Sequence, residues 1–283
     1  MSYECFDVSI EAGVAHIRLS RPEKRNAMSQ SFWTDLPEII RDIDDNAKAR
    51  VIVISADTVG DKPIFSAGID VSMFGTDDVS GNDKNHPQHG VNFYQNVLRL
   101  QDSFNAIENC RIPVIAAIHG GCIGGGVDLI TACDMRFGTQ AAFITIYEIN
   151  VGMTADVGTF PRILNHMPEG VVRELAYTGR RMGADECERR GLFNTTYATD
   201  AEMMGAVMEM AHEIATKPPL AIYGCKRIIT YSRDHSTADA LDQIAVWNMS
   251  MLIPGEMMEA MGAKAQKRPG KFMDLPTLKS DHA

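Results

Sequence analysis

The sequence predicts an α/β protein with a buried, mostly parallel sheet, and three observations support that prediction. Residues 14–20 (VAHIRLS) and 50–55 (RVIVIS) are β-branched runs that end in polar residues. An amphipathic segment, 29–46 (SQSFWTDLPEIIRDIDDN), lies between them. The same alternation of helical pattern and apolar strand then repeats along the chain. The order βαβα is typical of parallel strands covered by helices.

FSAGID (65–70) is a strand end that runs into a glycine turn, and the polar segment 75–90 is expected to be a surface loop. NFYQNVLRLQDSFNAIENC (92–110) has a helical pattern, and PVIAAIHG (113–120) is an apolar strand. Glycines then open a helix at VDLITACD (127–134).

The last part of the chain changes to helix-forming residues. We divide the chain into a catalytic core, 1–200, and a helical region, 201–283, which contains AEMMGAVMEMAHEIAT and a break at Pro218 and Pro219. Its methionine-rich faces are too apolar for solvent, so they predict packing against the core or, as the favoured alternative, against another subunit.

Composition narrows the function classes. With 283 residues and 45% hydrophobic content the chain can build a large core, and a net charge of -10 argues against a nucleic-acid partner. The six cysteines form no C-x-x-C pair, which indicates reduced thiols that fill apolar space. No apolar run is long enough to cross a bilayer and no address is recognised, so we expect no membrane partner and a cytoplasmic location.

Two glycine-containing turns are candidates for anion binding. GGCIGGG (120–126) fits neither the G-x-G-x-x-G pattern nor a phosphate loop, but it places backbone amides at a strand-to-helix turn. FSAGID offers a second turn of small residues. Two amides that converge on one oxygen form an oxyanion hole. For GGCIGGG the alternative is a tight turn that needs glycine for steric reasons alone.

Three carboxylates lie in the same apolar stretch: Asp128, Glu148 and Asp156. An ionised carboxylate among such neighbours loses hydration worth several kcal/mol, so it is expected to be paired, hydrogen-bonded or used chemically. Structural alternatives exist for each one. Asp128 could cap or pair within its own helix, Glu148 could pair with Arg136 or Arg162, and Asp156 could cap the helix that follows it.

FSAGID and AAIHGGCIGGGVDLITACDMR, together with RPEKRNAM (21–28) and AQKRPGKF (265–272), resemble the enoyl-CoA hydratase/isomerase (crotonase) family over nearly the full length. The resemblance implies a spiral of ββα units, a C-terminal helical trimerisation region and a homotrimer or dimer of trimers. It also implies an acyl-CoA thioester as substrate, with coenzyme A as part of that substrate and no separate cofactor or metal.

The resemblance assigns roles by position. The oxyanion hole falls on the amides of Ala67 and Gly125, and the catalytic carboxyls fall on Asp128, Glu148 and Asp156. The hydratases have glutamate at the first of these three positions and glycine at the third, so this chain departs from them and resembles the family's dienoyl-CoA isomerases. The implied substrate contacts are Lys24, Arg25, Ala67, Gly68, Ile69, Asp70, Gly125 and Phe272.

The chemistry explains the extra carboxyl. Moving a 3,5-diene to the 2,4 position removes a proton at C2 and adds one at C6, so two carboxyls of opposite protonation state are needed. Glu148 is the expected base and Asp156 the expected acid, with Asp128 as a neighbour that keeps their states apart. The alternatives are a 2-enoyl-CoA hydratase, which leaves Asp156 without a role, and a non-catalytic acyl-CoA-binding or oligomeric protein.

Positive charge is expected near the coenzyme A phosphates despite the acidic total. Lys24 and Arg25 lie in a segment that borders the nucleotide in this family. Lys267, Arg268 and Lys271 form a terminal basic cluster that, by resemblance, reaches a neighbouring subunit's ligand, with Phe272 beside the acyl pocket.

Overall fold

The computed structural model describes residues 3–74 and 87–278. Most of the segment expected to be a surface loop, 75–90, therefore lies outside the described residues, and its last four residues begin a helix at Pro87. Ten strands form two sheets in the described part of the chain. They are β1 Phe6–Glu11, β2 Val14–Leu19, β3 Val51–Ala56, β4 Ile64–Ser66, β5 Val114–Ile118, β6 Gly121–Ile123, β7 Met135–Thr139, β8 Phe143–Thr145, β9 Met182–Gly183 and β10 Thr195–Tyr197.

The described residues also form ten α-helices. They are α1 Gln30–Asp45, α2 Pro87–Asn109, α3 Gly125–Ala132, α4 Thr159–Ile163, α5 Glu169–Thr178, α6 Ala184–Arg190, α7 Asp200–Ala215, α8 Pro219–Tyr231, α9 Thr237–Met251 and α10 Pro254–Ala265. Single-turn 3₁₀ helices occur at Pro22–Lys24, Val71–Phe74 and Glu148–Val151.

The two sheets explain the spiral that the family resemblance implies. The larger sheet has the order β1-β2-β3-β5-β7-β10 and the smaller one β4-β6-β8-β9. Each of the pairs β3–β4, β5–β6 and β7–β8 therefore gives one strand to each sheet before the chain enters a helix. All pairings between these units are parallel, while β1 with β2 and β8 with β9 are antiparallel. The predicted α/β class and ββα spiral are confirmed.

The central strands are apolar throughout because both faces of the larger sheet are covered. In β3, Ile52 and Ile54 belong to the main core cluster, whereas Val51 and Val53 face a second cluster. The second cluster contains a stripe of α7 residues at helical spacing: Met203, Val207, Ala211 and Ala215. Helix α7 thus belongs to the core of the sheet, although it starts where we placed the boundary of the helical region.

The last two helices differ from α7. Helix α9 has no buried residue and α10 has one, Ala263. Their exposed side chains include Met249, Met258 and Met261, which are 80%, 69% and 61% exposed. The uncovered methionine-rich surface of this single chain is thus confined to the end of the region that the sequence analysis singled out.

None of the helices in residues 3–74 and 87–278 combines the length and the apolar character needed to cross a bilayer. The cysteines are free thiols; five are buried as expected, while Cys225 is exposed on α8 and fills no core space.

Candidate active site

The turn after β4 is built around a buried asparagine that the sequence analysis did not select. The side-chain nitrogen of Asn26 donates to the carbonyls of Asp57 (2.9 Å) and Ile64 (3.2 Å). The hydroxyl of Ser66 donates to the Asn26 carbonyl (2.9 Å) and accepts from the Gly68 amide (3.1 Å). The segment before α1 and the turn after β4 are therefore fixed to one another.

Glycine lets this turn approach the start of α3. Gly68 has a φ of +83°, and a Cβ there would lie 2.7 Å from the Ile123 carbonyl oxygen and 3.1 Å from the Gly125 nitrogen. Gly124 has a φ of +51°, and a Cβ there would lie 3.1 Å from Oε1 of Glu148. A side chain at either position would separate the two turns or displace the glutamate.

The predicted oxyanion donor Ala67 needs correction. Its amide is already used, because it donates to the carbonyl of Arg25 at 2.9 Å. Met28 pairs with the residues on either side of Ile69 in the same turn. Its nitrogen donates to the carbonyl of Gly68, and its carbonyl accepts from the amide of Asp70. The Ile69 amide between them has no acceptor among the described residues.

The second predicted donor, Gly125, suits the role. It is the first residue of α3, where an amide has no partner within the helix and the helix dipole is positive. A Cβ on Gly125 would lie 3.6 Å from the Ile69 nitrogen, so the two amides are neighbours. The geometry therefore leaves the neighbouring amides of Ile69 and Gly125 able to bind one oxygen, whereas the amide of the predicted donor Ala67, two residues earlier on the first turn, is occupied.

Asp128 lies on the first turn of α3 and is fully buried. Its Oδ1 accepts from the Thr159 amide at 2.5 Å, while Oδ2 is buried without a partner. Burial, followed by the negative charge of Glu148, raises the pKa of Asp128 from 3.8 to about 7. The hydrogen bonding of Thr159 acts in the opposite direction but is smaller. Asp128 thus caps α4, a different helix from its own, and takes up a proton near neutral pH.

Glu148 follows β8 and begins the 3₁₀ turn Glu148–Val151. Its Oε2 is buried without a partner, and burial followed by the charge of Asp156 raises the pKa of its carboxyl. Neither predicted partner binds it. Arg136 donates to backbone carbonyls, including that of Cys133 at 2.7 Å, and Arg162 pairs with Glu108 at 3.0 Å.

Asp156 lies between Glu148–Val151 and α4 in a segment without regular structure. It is half-buried, and burial raises the pKa of its carboxyl. It does not cap α4, since Gly158 occupies the N-cap position and Asp128 binds the Thr159 amide. Its charge raises the pKa of Glu148, so the two carboxyls interact.

Two contacts that the sequence did not reveal hold the Asp156 segment, one long-range and one local. Nε2 of Gln101, on α2, donates to the Asp156 carbonyl at 2.7 Å. Gly158 has a φ of +135°, and a Cβ there would lie 1.9 Å from a guanidinium nitrogen of Arg162. The glycine of ADVGT was the available signal, but its partner could not be read from the sequence.

The remaining predicted contacts fall into two groups. Lys24 and Arg25 are exposed and lie in the segment that is bonded to the turn after β4. The carboxylate of Asp70 accepts hydrogen bonds from the amide and hydroxyl of Ser72. Those bonds lower the pKa of Asp70. Phe272 is not brought to the site of its own chain: its carbonyl accepts from Arg50, at the amino end of β3 and opposite the end that leads to β4.

The terminal basic cluster also lies away from this chain's site. Arg268 pairs with Glu259 of α10, and the backbone amide of Lys271 donates to the same carboxylate at 2.8 Å. Its predicted contact with a neighbouring subunit's ligand stays a prediction. Within the described residues no cluster of three or more His, Cys, Asp or Glu side chains is arranged to hold a metal ion.

Two neighbouring backbone amides close to Glu148, which interacts with Asp156, in a spiral of ββα units, define a class of protein that can stabilise an enolate and move protons next to it. Residues 9–273 match the model of the enoyl-CoA hydratase/isomerase family. The chain belongs to this family, and the predicted resemblance is confirmed.

Named relatives narrow the comparison. The chain is 40% identical over 98% of its length to the human mitochondrial Delta(3,5)-Delta(2,4)-dienoyl-CoA isomerase, of which it covers 84%. It is 36% identical over 97% of its length to the peroxisomal Delta(3,5)-Delta(2,4)-dienoyl-CoA isomerase of Arabidopsis thaliana, of which it covers 99%. The prediction of a dienoyl-CoA isomerase agrees with these names.

Solved structures share the fold. A Streptomyces coelicolor A3(2) protein described as an enoyl-CoA hydratase superposes with a TM-score of 0.85 at 25% identity, over 96% of this chain and 95% of that one. A Thermobifida fusca YX protein described as an enoyl-CoA hydratase, in complex with acetoacetyl-CoA, gives 0.77 at 27% identity over 88% and 94%.

The expected cytoplasmic location is wrong. The relatives named above are mitochondrial and peroxisomal proteins, so the comparison gives no support to a cytoplasmic protein. The expectation rested on the lack of a recognised address in the sequence, and such a lack does not locate a protein.

The proton on Asp128 predicts how stability varies with pH. Because burial raises its pKa from 3.8 to about 7, the folded protein retains a proton that the unfolded chain loses, and stability falls as pH rises between these values. Asp128→Asn keeps the acceptor for Thr159 but cannot ionise. We expect the free energy of unfolding of Asp128→Asn minus that of the unsubstituted protein to increase by about 2 to 3 kcal/mol from pH 5 to pH 8.

Urea denaturation at both pH values measures this difference, with Asp185→Asn, an exposed residue of α6, as control. A difference between Asp128→Asn and the unsubstituted protein that does not change with pH would contradict the assignment of a proton to Asp128.

Proposed function

We propose that this protein is an isomerase that converts 3,5-dienoyl-CoA thioesters to 2,4-dienoyl-CoA thioesters in fatty acid β-oxidation. The observation that carries the proposal is the second carboxyl, Asp156, which is close enough to Glu148 to raise its pKa, while Glu148 itself lies against Gly124, next to the amide of Gly125. The relatives that share 36% to 40% identity over nearly the whole chain are named for this reaction.

The amides of Ile69 and Gly125 hold the thioester oxygen as it gains negative charge. Hydrogen bonds aimed at a developing charge are the largest single contribution in many enzymes, and helix α3 adds its positive end. Removal of the C2 proton then gives a dienolate whose charge is spread from that oxygen to C6. This dienolate can accept a proton at C6, several ångströms from where the first was lost.

Glu148 is the base and Asp156 the acid. The two carboxyls interact, so both cannot ionise as easily as one alone, and burial raises the pKa of each. The pair thus favours a state with one proton, and that state is what the reaction needs. No protein group binds Oε2 of Glu148, so this oxygen keeps its lone pairs for a proton.

Asp128 acts on this pair through a hydrogen bond and through its charge. Its Oδ1 accepts a hydrogen bond from the Thr159 amide, three residues after Asp156. Its negative charge and that of Glu148 repel one another. When Asp128 holds a proton, Glu148 ionises more easily. We therefore keep Asp128 as a positioning residue that favours the ionised state of Glu148.

An acyl-CoA substrate needs cations for its phosphates, and we assign Lys24 and Arg25 to that role because both are exposed beside the oxyanion turn. No separate cofactor is proposed, since coenzyme A enters with the substrate. The methionine-rich surfaces of α9 and α10 support assembly as a homotrimer or dimer of trimers, which would bury Met249, Met258 and Met261.

One assay separates this function from its alternatives. Purified protein is incubated with a 3,5-dienoyl-CoA and, separately, with a 2-enoyl-CoA, while absorbance follows the conjugated diene and the enoyl group. Rapid diene formation with negligible hydration supports the proposal. Hydration without isomerisation would instead make the protein a hydratase, and no reaction with either thioester would make it a binding protein.

Replacement of Asp156 tests the two-carboxyl mechanism. Asp156→Asn should lower kcat for diene formation by about 10² to 10⁴, the usual contribution of a general acid. In D₂O the variant should still exchange the C2 hydrogens of the substrate, because Glu148 and the oxyanion amides remain. The control is Asp185→Asn. Full diene formation by Asp156→Asn would contradict the assignment. So would a variant that loses both diene formation and C2 exchange.

The corrected oxyanion donor is tested through Gly68. Gly68→Ala introduces a Cβ 2.7 Å from the Ile123 carbonyl, which must move the Ile69 amide away from Gly125. We expect kcat for diene formation to fall by about 10² to 10³, as for loss of one oxyanion donor. Gly60→Ala is the matched control, because Gly60 also has a positive φ (+71°) but no atom within 4 Å of an added Cβ.

If Gly60→Ala and Gly68→Ala lose the same activity, backbone strain alone is responsible, and the Ile69 assignment is wrong.

A further inference from the structure

A cavity of about 530 Å³ lies beside the segment that carries Asp156. The segment around Asp156 and Val157 forms part of its wall, and the rest comes from α2, α4, α8 and the residues that follow α4 and α8. The wall includes Gln101, Asn105, Glu108, Asn165, Thr230 and Asp234. Ile69, Gly125 and Glu148 do not line it, so it is separate from the oxyanion amides and the base.

The wall is polar and reaches the protein surface. Asn165 and Asp234 are exposed at its rim, whereas Glu108 lies deeper, paired with Arg162 and Arg233. A polar cavity of this size holds many water molecules, since a single water needs about 30 Å³ of liquid volume and two to four polar partners. It therefore offers Asp156 contact with water from a side that the base does not share.

The proposed reaction requires such a contact. In each turnover the Glu148 carboxylate gains the proton that breaks from C2, and the Asp156 carboxyl loses the proton that bonds to C6. The product contains as many hydrogens as the substrate, but the enzyme is left with its two carboxyls in exchanged states. Before the next turnover Glu148 must lose a proton and Asp156 must gain one.

We propose that Asp156 regains its proton from water in this cavity, while Glu148 releases its proton into the thioester cleft. The inference rests on the proposed isomerase function and adds a second entrance to the site, for protons alone. Gln101 marks the boundary: its side chain both lines the cavity and holds the Asp156 carbonyl at 2.7 Å. Asp156 is half-buried, which leaves it accessible to water.

Filling the cavity tests the route without touching the carboxyls. Thr230→Phe and Asn165→Trp add bulk from α8 and from the chain after α4, and neither residue holds the Asp156 segment. The control is Ile229→Phe, an exposed position (64%) on α8 that does not line the cavity. Thermal unfolding confirms that each variant is folded before its kinetics are compared.

Rapid mixing then separates the first turnover from later ones. In the proposed mechanism Asp156 is protonated before the first turnover, so the filled variants should form one diene per site at nearly the unsubstituted rate. Their later turnovers should slow by about tenfold, because reprotonation becomes limiting. A distorted Asp156 segment would slow the first turnover as well. The control should show no such burst.

Deuterium placed at C2 of the substrate, in ordinary water, follows the proton itself. The unsubstituted enzyme should form product without deuterium at C6, because Asp156 exchanges with water between turnovers. Substantial C2-to-C6 transfer in this enzyme would show direct return from Glu148 and overturn the proposal. In the filled variants C6 deuterium should rise as the steady rate falls.

The remaining outcomes are distinct. Filled variants with the steady rate and C6 labelling of the unsubstituted enzyme would show that Asp156 is served through the thioester cleft. A raised KM without a burst would assign the cavity to the acyl chain, and either result overturns the proposal. If the unsubstituted protein forms no diene at all, the proposed function itself is wrong. That result is distinct from a failure of the proton route, in which the unsubstituted protein is active.

Discussion

The close approach of two backbone turns is the constraint on which the rest of the site depends. The turn after β4 and the start of α3 meet because β4 and β6 are parallel neighbours in the smaller sheet. At that meeting point Gly68 and Gly124 have positive φ values, and side chains there would collide with backbone or with Glu148. The paired amides of Ile69 and Gly125 are a product of sheet topology as much as of local sequence.

The buried carboxyl of Asp128 connects this meeting point to the two carboxyls that we propose transfer protons. It projects from α3, three residues beyond the start of that helix at Gly125, and binds the amide that begins α4. Its second oxygen has no partner, so ionisation there is opposed by lost hydration, and the pKa near 7 follows. One side chain thus sets the position of the Asp156 segment and the charge felt by Glu148.

The sequence predicted what depends on composition and short-range pattern. β3 and β5 were recognisable because both of their faces are buried, and the glycine turns because few residues adopt such backbone conformations. The choice between Ala67 and Ile69 as donor was not predictable. Both amides lie on one turn, and what distinguishes them is a distant group, the carbonyl of Arg25 in the segment before α1, which occupies the Ala67 amide.

The same limit applies to the Asp156 segment, and it bears on how activities diverge within this fold. A carboxyl at this position is a single residue difference from a glycine, but its direction is set by Gln101, by Asp128 through Thr159, and by Arg162 packed against Gly158. None of these contacts is local in sequence except the last. An aspartate placed in a related chain without them would have the acid but not its geometry. Because a misplacement of about 1 Å can cost 10²-fold in rate, the change of reaction requires the supporting contacts as well as the carboxyl.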